Sequence, residues 1–249
     1  MSTVLITGAS SGLGLALAKL YAQKGKNLIL VSSSLLRLRK AKAAIEQEID
    51  QPVSIRLMAQ DLSQPKAAQK VMDQIDEPID VFINNAARGY IGSYQNQTLE
   101  DLQSMNRLNI GSAANFLWLV LQRMEKQKKG QILNVCSIGS FTPGPYTAAY
   151  YASKSWLLSL SLALRQEAKS RNVQICAFCP GTMKTGFFEK AGSKTPGYGQ
   201  TPKQAALAAC KGLEKNKAII YSSPAVRASL LIPESLRMKM IERLKKNSQ

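Results

Sequence analysis

Two side chains that can move a proton stand four residues apart in Tyr150-Tyr151-Ala152-Ser153-Lys154. The stretch is helix-forming. Positions i and i+4 share a helix face, so the Tyr150 phenol and the Lys154 ammonium lie one turn apart on the same side. A phenol ordinarily titrates at about pH 10. A neighbouring ammonium favours the phenolate and moves the group towards acid/base use near neutral pH. The spacing alone is common and also fits two ordinary helix residues. Composition narrows the choice, because none of the 249 residues is a histidine. A Ser-His-Asp triad, a Cys-His dyad and a His-ligated zinc site are thereby excluded. The acid or base must be Tyr, Lys, Asp, Glu or Cys, and Tyr150 is the best-placed proton donor.

Two further residues join this pair. Ser137 ends the strand-like run Gln131–Ser137, thirteen residues before Tyr150, and its hydroxyl could hydrogen-bond a substrate oxygen. Asn109 is a polar residue inside an otherwise helical stretch. It could bend that helix, hold a water, or be a solvated amide.

A second constellation is built from glycine. The apolar run Val4–Thr7 leads into Thr7-Gly8-Ala9-Ser10-Ser11-Gly12-Leu13-Gly14, and a helix follows with an apolar stripe at Leu13, Leu17, Leu20 and Tyr21. Gly8 suits a tight turn, Gly12 a close approach of backbone to a pyrophosphate, and Gly14 close packing of helix on strand. A pyrophosphate would rest on the helix N-terminus, where free N–H groups and the dipole favour an anion. No Gly-Lys-Ser/Thr follows, which excludes the phosphate-binding loop of nucleoside triphosphatases.

These residues need elements to hold them. Strand-like runs cover Val4–Thr7, Asn27–Val31, Val53–Leu57, Val81–Asn84, Gln131–Ser137, Val173–Cys179 and Ala218–Tyr221. Helical stretches cover 12–25, 35–50, 65–76, 98–128 (one helix or two), 147–171 and 201–215. Such alternation predicts an α/β fold, a parallel doubly wound sheet with helices on both faces. Ligands of such sheets bind at the carboxyl ends of the strands.

Together these features resemble the short-chain dehydrogenase/reductase family over residues 2 to about 222. The matching motifs are Thr7-Gly8-Ala9-x-x-x-Gly12-x-Gly14, Asp61, Asn84-Asn85-Ala86-Ala87, Asn109, Ser137, Tyr150-x-x-x-Lys154 and Pro180-Gly181 with Thr185. The resemblance implies one Rossmann-type domain over 1–249 with seven parallel strands, its family core over 1–222 followed by a basic amphipathic extension over 223–249. It also implies a nicotinamide dinucleotide cofactor and interconversion of a carbonyl and a hydroxyl on a small, apolar substrate. Tyr150 is the implied general acid/base. Lys154 is implied to bind the nicotinamide ribose and lower the tyrosine pKa, Ser137 to orient the substrate oxygen, and Asn109 to hold a proton-relay water. Asp61 with Leu62 is implied to bound the adenine, Asn85 the adenosine-side ribose region, and Thr185 the carboxamide. The cofactor's other implied neighbours are Ser10, Ser11, Leu13, Ala86, Ala87, Pro180, Gly181 and Thr182.

Two departures bear on the cofactor. Ala87 stands where the family usually has glycine, a change of one methyl group. After the second strand the run is Val31-Ser32-Ser33-Ser34, with neither the acid usual for NAD nor the arginine usual for NADP. An acid there would repel a 2′-phosphate. Three hydroxyls, with Arg37 or Arg39 nearby, could hold one. NADP(H) is therefore expected over NAD(H).

The chain carries 33 lysines and arginines against 16 acids, a net charge of +17. Its last 49 residues hold ten of those cations and three glutamates. The charge reads as a basic, solvated surface; no basic run is interleaved with exposed aromatics, so a nucleic-acid partner is not expected. In the tail, Leu236, Met240, Ile241 and Leu244 form a helical stripe among Arg237, Lys239, Arg243, Lys245 and Lys246. Packing on its own domain or a partner subunit is expected, with contact to an anionic membrane as the second reading. The segment 186–200 resembles the family's substrate lid. With Tyr90, Ile91, Phe141 and Tyr146 it implies an apolar pocket.

Cys136, Cys176, Cys179 and Cys210 read as reduced apolar residues, and no metal site is expected. No run is long and apolar enough to span a membrane, and the N-terminus lacks a secretory signal, so a cytoplasmic protein is expected. A homodimer or homotetramer is implied by the family's pairing helices. Two rival readings are a nucleotide-binding scaffold or sensor without turnover, and a peripheral membrane protein acting through residues 224–249.

Overall fold

The computed structural model describes residues 2–246. Seven strands form one sheet: β1 (Thr3–Thr7), β2 (Asn27–Ser32), β3 (Ile55–Ala59), β4 (Val81–Asn84), β5 (Gly130–Val135), β6 (Val173–Cys179) and β7 (Ile219–Tyr221). Their spatial order is β3-β2-β1-β4-β5-β6-β7, and every neighbouring pair is parallel. The connecting helices are α1 (Gly12–Gln23), α2 (Leu35–Glu46), α3 (Ala67–Met72), α4 (Leu99–Asn106), α5 (Ala113–Lys126), α6 (Ala148–Glu167), α7 (Phe187–Lys190) and α8 (Pro202–Glu214). After β7 come α9 (Pro224–Ala228) and α10 (Glu234–Lys246). The winding starts at β1, goes out to β3, and restarts at β4 on β1's other side. The carboxyl ends of β1 and β4 therefore face a crevice that no crossover covers.

The period of two along each strand divides the apolar residues between the sheet's faces. Leu5, Ile29, Phe82, Ile132 and Ile175 point to one face, where Val71 of α3, Phe116 and Val120 of α5 and Leu157 of α6 meet them. Val4, Ile6, Leu28, Ile83 and Leu133 point to the other, under Leu17 of α1, Leu38 of α2 and Ala209 of α8. Cys176 and Cys179 fall on opposite faces, and all four cysteines are buried free thiols. A polar bridge also runs through the interior. Asn84 Nδ2 donates to Asn134 Oδ1 at 3.1 Å, and Asn134 Nδ2 to Ser161 Oγ at 2.9 Å, joining β4, β5 and α6.

Some element ends differ from expectation. β3 starts at Ile55 rather than Val53, and β5 stops at Val135 rather than Ser137. Cys136 N still donates to Phe178 O and Ile138 N to Pro180 O, each at 2.8 Å. The chain then turns, and Ser137 caps a 3₁₀ turn over Ile138–Phe141. Residues 98–128 make one run in which α4 passes into α5 through a π-helical segment, Arg107–Ser112. In the tail, Arg237, Met238, Ile241 and Lys245 are partly buried while Leu236, Met240 and Leu244 are exposed, so of the expected apolar stripe only Ile241 lies on the face turned to the body. No described helix is long and apolar enough to cross a membrane.

Phe82 has no solvent exposure and packs its ring 5.6 Å from that of Phe116, fastening α5 to the sheet. Phe82→Ala should cost about 3–5 kcal/mol in urea unfolding with an unchanged m-value. A loss below about 1 kcal/mol would contradict this packing.

Candidate active site

The site grows out of one close approach. The N-terminus of α1 reaches β1 across Gly8 and Gly12, whose φ angles of +65° and +55° suit glycine. A Cβ at Gly14 would overlap the Gly8 carbonyl oxygen and lie 2.8 Å from Asn85 Nδ2. Ser11 is the N-cap residue of α1, but its side chain makes no cap hydrogen bond, and the first turn carries no acid. The helix therefore presents its N–H groups and positive dipole end to the crevice. Thr7 and Asn85 set the loop. Thr7 Oγ1 accepts from Asn85 N at 2.9 Å and Ala86 N at 3.0 Å, while Asn85 Nδ2 donates to the Thr7 and Gly8 carbonyls.

A cleft of about 420 Å³ opens there. Every residue expected from the sequence to be catalytic or to bound the cofactor lines it, except Ser34, Asn109 and the alternative Arg39. Ser34 Oγ instead accepts from Arg37 N and caps α2. Ser32 is paired with Ser10, Oγ to Oγ at 2.8 Å, and Ser33 Oγ accepts from Arg37 Nη2 at 3.3 Å. Of the three hydroxyls, then, one caps a helix and two meet in the cleft wall with Ser10 and Arg37. Asp61 accepts from both the backbone N–H and the hydroxyl of Ser63. Burial alone would raise its pKa, but those bonds hold the carboxylate below its ordinary value.

At the other end of the glycine loop, Ser137, Tyr150 and Lys154 converge beyond β5. Lys154 is 4% exposed, and its Nζ donates to Val135 O at 2.7 Å. Burial pushes its pKa down to about 8. The ammonium sits 6.0 Å from the Tyr150 ring centroid. The sequence led us to expect a depressed phenol. The structure moves it the other way: burial raises Tyr150, and the charge field of Tyr151 adds to the rise. The Ser137 hydroxyl beside the phenol pulls it down by less. The reason is geometric: Phe187 covers the phenol ring at 5.2 Å and shuts it from water.

Asn109 lies behind the cleft, buried in the π-helical segment. Its Oδ1 accepts from Arg88 N at 3.0 Å, and its Nδ2 donates to Arg88 O at 2.9 Å and Ser153 Oγ at 3.1 Å. Ser153 Oγ in turn donates to Tyr150 O at 2.7 Å. The amide thus reads like one more strand partner for the loop after β4, and it ties that loop to the helix carrying Tyr150 and Lys154. The π turn supplies the extra residue that aims this side chain inward.

The cleft's outer half is apolar. Tyr90, Ile91, Met183, Phe187 and Phe188 line it, whereas Phe141, Tyr146 and Tyr198, also expected there, do not. Phe141 instead stacks on Tyr221, with centroids 6.0 Å apart. Ile91 N donates to Ala191 O at 2.7 Å, which seats α7 over the loop after β4. Gln60, Lys190 and Lys245 line the cleft unannounced by any motif. Among the described residues no cluster of metal-ligating side chains exists.

Lys154 predicts a pH effect of definite sign. Its folded-state pKa, about 8, lies below the ordinary lysine value of about 10.4. The unfolded chain binds more protons between these values, so wild-type stability should rise with pH across that window. The stability of wild type relative to Lys154→Met should increase from pH 7 to pH 10 in urea titrations; a pH-independent difference would refute it. Gly14→Ala should destabilise by about 1–3 kcal/mol, because the methyl group meets backbone and cannot be accommodated by a rotamer change. A thermal melt coincident with wild type would contradict the close approach.

The comparisons agree with this geometry. The family model for short chain dehydrogenase matches residues 2–196. Ketoacyl reductase HetN of Nostoc sp. is 31% identical over 232 residues, 92% of this chain and 81% of its own length. 3-Ketodihydrosphingosine reductase of Bacteroides thetaiotaomicron is 29% identical over 218 residues, 86% of this chain and 76% of its own. A solved short-chain dehydrogenase from Sphingobium yanoikuyae, in complex with NADPH, superposes with a TM-score of 0.85 at 27% identity, covering 97% of this chain and 95% of that one. The bulky-bulky ketone specific alcohol dehydrogenase from Comamonas testosteroni superposes with a TM-score of 0.81 at 26% identity, covering 97% and 94%. The glycine cradle, the Ser-Tyr-Lys cluster and these matches lead to one conclusion: the chain belongs to the short-chain dehydrogenase family of oxidoreductases.

Proposed function

We propose that this protein is an NADP(H)-dependent carbonyl reductase acting on an apolar ketone or aldehyde. The observation that carries the reading is the convergence of Ser137, Tyr150 and Lys154 beside the uncapped N-terminus of α1. A dinucleotide fits the residues present. The space where a Cβ of Gly14 would stand is already taken by the Gly8 carbonyl, and Ser11 leaves the first N–H groups of α1 open. Those groups would take the pyrophosphate, Asp61 and Leu62 would border the adenine, and Thr185 with Pro180 and Gly181 would border the carboxamide. When bound, the nicotinamide supplies the hydride.

The protein's share is position and a proton. Ser137 holds the substrate oxygen against the Tyr150 hydroxyl, and the phenol gives that oxygen its proton. A phenol raised by burial stays protonated at neutral pH, the form a reduction consumes. Lys154 would hold the nicotinamide ribose, and its ammonium, 6.0 Å from the ring centroid, would stabilise the phenolate as it forms. Asn109 is placed to position the Tyr150 helix rather than to touch substrate, and Asn85 positions the loop rather than a ribose.

The cofactor preference rests on Arg37 and Ser33 at the end of β2, where no carboxylate stands to repel a 2′-phosphate. The relative solved with NADPH agrees in kind. The core over 1–222 and the extension over 223–249 are taken as one domain. A homodimer or homotetramer through α5 and α6 fits Trp118 of α5, 61% exposed.

Nicotinamide fluorescence should show NADPH binding at least about tenfold tighter than NADH, with Arg37→Ala bringing the two to near equality. The same protein should oxidise NADPH when an apolar ketone is added. Equal or tighter binding of NADH would overturn the NADP assignment. Binding without ketone-dependent oxidation would favour the scaffold reading.

A further inference from the structure

Helix α10 is held to the body by one face and leaves another open. Arg237, Met238, Ile241 and Lys245 form the half-buried face; Lys245 lines the cleft, and Met238 a groove against α6. The outer side carries Leu236, Met240 and Leu244, which are 50%, 44% and 52% exposed. They recur every four residues and so form one row. Leu231, just before the helix, is 86% exposed. Among the described residues eleven large apolar side chains are exposed, and four of them fall within residues 231–244. Single exposed apolar side chains are ordinary, whereas a row of them marks a surface that meets something apolar.

The charges around this row are ordered as well. Lys239 stands three residues after Leu236, and Arg243 three after Met240, so each cation is the helix neighbour of an apolar side chain. Lys246 follows three residues after Arg243, and all three cations are exposed. The acids of α10 lie elsewhere. Glu234 lines the groove against Tyr151 and Ala152 of α6, and Glu242 falls beyond the basic row, across the helix from Met240. No carboxylate of this helix therefore borders the apolar row. Two copies packed on this face would set basic row against basic row, in a chain of net charge +17. A convex helix face with an apolar row and flanking cations suits a flat anionic surface. The long side chains reach the headgroups while the row sinks below them.

We propose that α10 docks the protein on an anionic lipid bilayer. Leu236, Met240 and Leu244 enter the boundary between headgroups and acyl chains, and Lys239, Arg243 and Lys246 meet the lipid phosphates. The contact is peripheral, since no described helix is long and apolar enough to cross a membrane. Three side chains bury little area, so binding needs the apolar row and the cations together. Docking holds the cleft, which Lys245 of the same helix lines, at the lipid surface. The proposal stands beside the reductase reading and does not depend on it.

The test is co-sedimentation of the full-length protein with vesicles of phosphatidylcholine alone and of phosphatidylcholine mixed with phosphatidylglycerol. Partition onto the anionic vesicles should exceed that onto the neutral ones by at least about tenfold, and should fall as salt rises from about 0.1 M to about 1 M. Leu236→Ser, Met240→Ser and Leu244→Ser combined should lower it by at least about tenfold. Lys239→Gln, Arg243→Gln and Lys246→Gln combined should remove the preference for anionic lipid. Both variants should melt with wild type, because all six side chains are exposed. A nitrobenzoxadiazole fluorophore attached at Met240→Cys, one exposed change, reads the same contact independently. Its emission should shift to the blue on anionic vesicles, and that of the same label at Glu242→Cys should not. Failure of wild type to bind anionic vesicles would overturn the proposal, as would an unshifted label at position 240. Binding that the serine variant retains in full would also overturn it, because net charge alone would then suffice. Self-association in sedimentation velocity that the serine changes abolish, without vesicle binding, would assign the row to a second copy and overturn it too.

Discussion

Helix α1 can aim its N-terminus at the gap between β1 and β4 because a side chain is missing at Gly14. A methyl group there would stand in the Gly8 carbonyl. From that approach the rest of the site follows. The turn at Gly8 brings its own carbonyl within reach of Asn85, whose amide binds it together with the Thr7 carbonyl. Thr7 returns the bond by accepting from the two N–H groups after β4. The loop that starts the crevice and the loop that floors it are thus one hydrogen-bonded unit. Glycine loses more backbone entropy on folding than other residues, and the hydrogen bonds of this unit offset part of that loss.

The chemical end depends on a different constraint, a cation and a phenol held out of water. An ammonium in an apolar interior must find a partner, and Lys154 finds the carbonyl that ends β5. That bond keeps the charge beside the phenol without neutralising it. Tyr150 sits in a pocket whose walls are aromatic, so its proton is retained. A hydrogen-bonded π segment places Asn109 where it fixes both the loop after β4 and the start of the helix that bears the pair. Cradle and proton donor sit on opposite sides of β4, and the sheet's rigidity keeps their separation constant.

Much of this was legible from residue order. Strand alternation and the position of the glycines depend on local pattern, and they gave seven strands to within two residues. Tyr150 and Lys154 were legible because i and i+4 meet on any helix. What escaped was decided by tertiary contact. Ser34 reads like Ser32 and Ser33, yet it starts a helix and is spent on its cap. Asp61 and Asn85 have side chains that the backbone claims first. Asn109 gave a signal, a polar residue in a helical run, but whether it met solvent or a partner turned on the π segment, which leaves no composition mark. Asn134 and Ser161 gave only the hint of one polar residue in an apolar strand and one in a helix stripe. Lys190 and Lys245 line one cleft from more than fifty residues apart in the chain, beyond any periodicity. Of the tail's expected stripe only Ile241 packs, because the face turned to the body is completed by the stems of Arg237 and Lys245 and by Met238.

The most direct test is a single-turnover experiment. Protein preloaded with NADPH is mixed with an apolar ketone, and the loss of nicotinamide absorbance is followed in wild type and in Tyr150→Phe. The phenyl ring keeps the packing against Phe187 and removes the one proton the reaction needs. Hydride transfer should slow by roughly 10²–10⁴-fold while the affinity for NADPH stays near that of wild type. An unchanged rate in Tyr150→Phe would contradict proton donation by Tyr150.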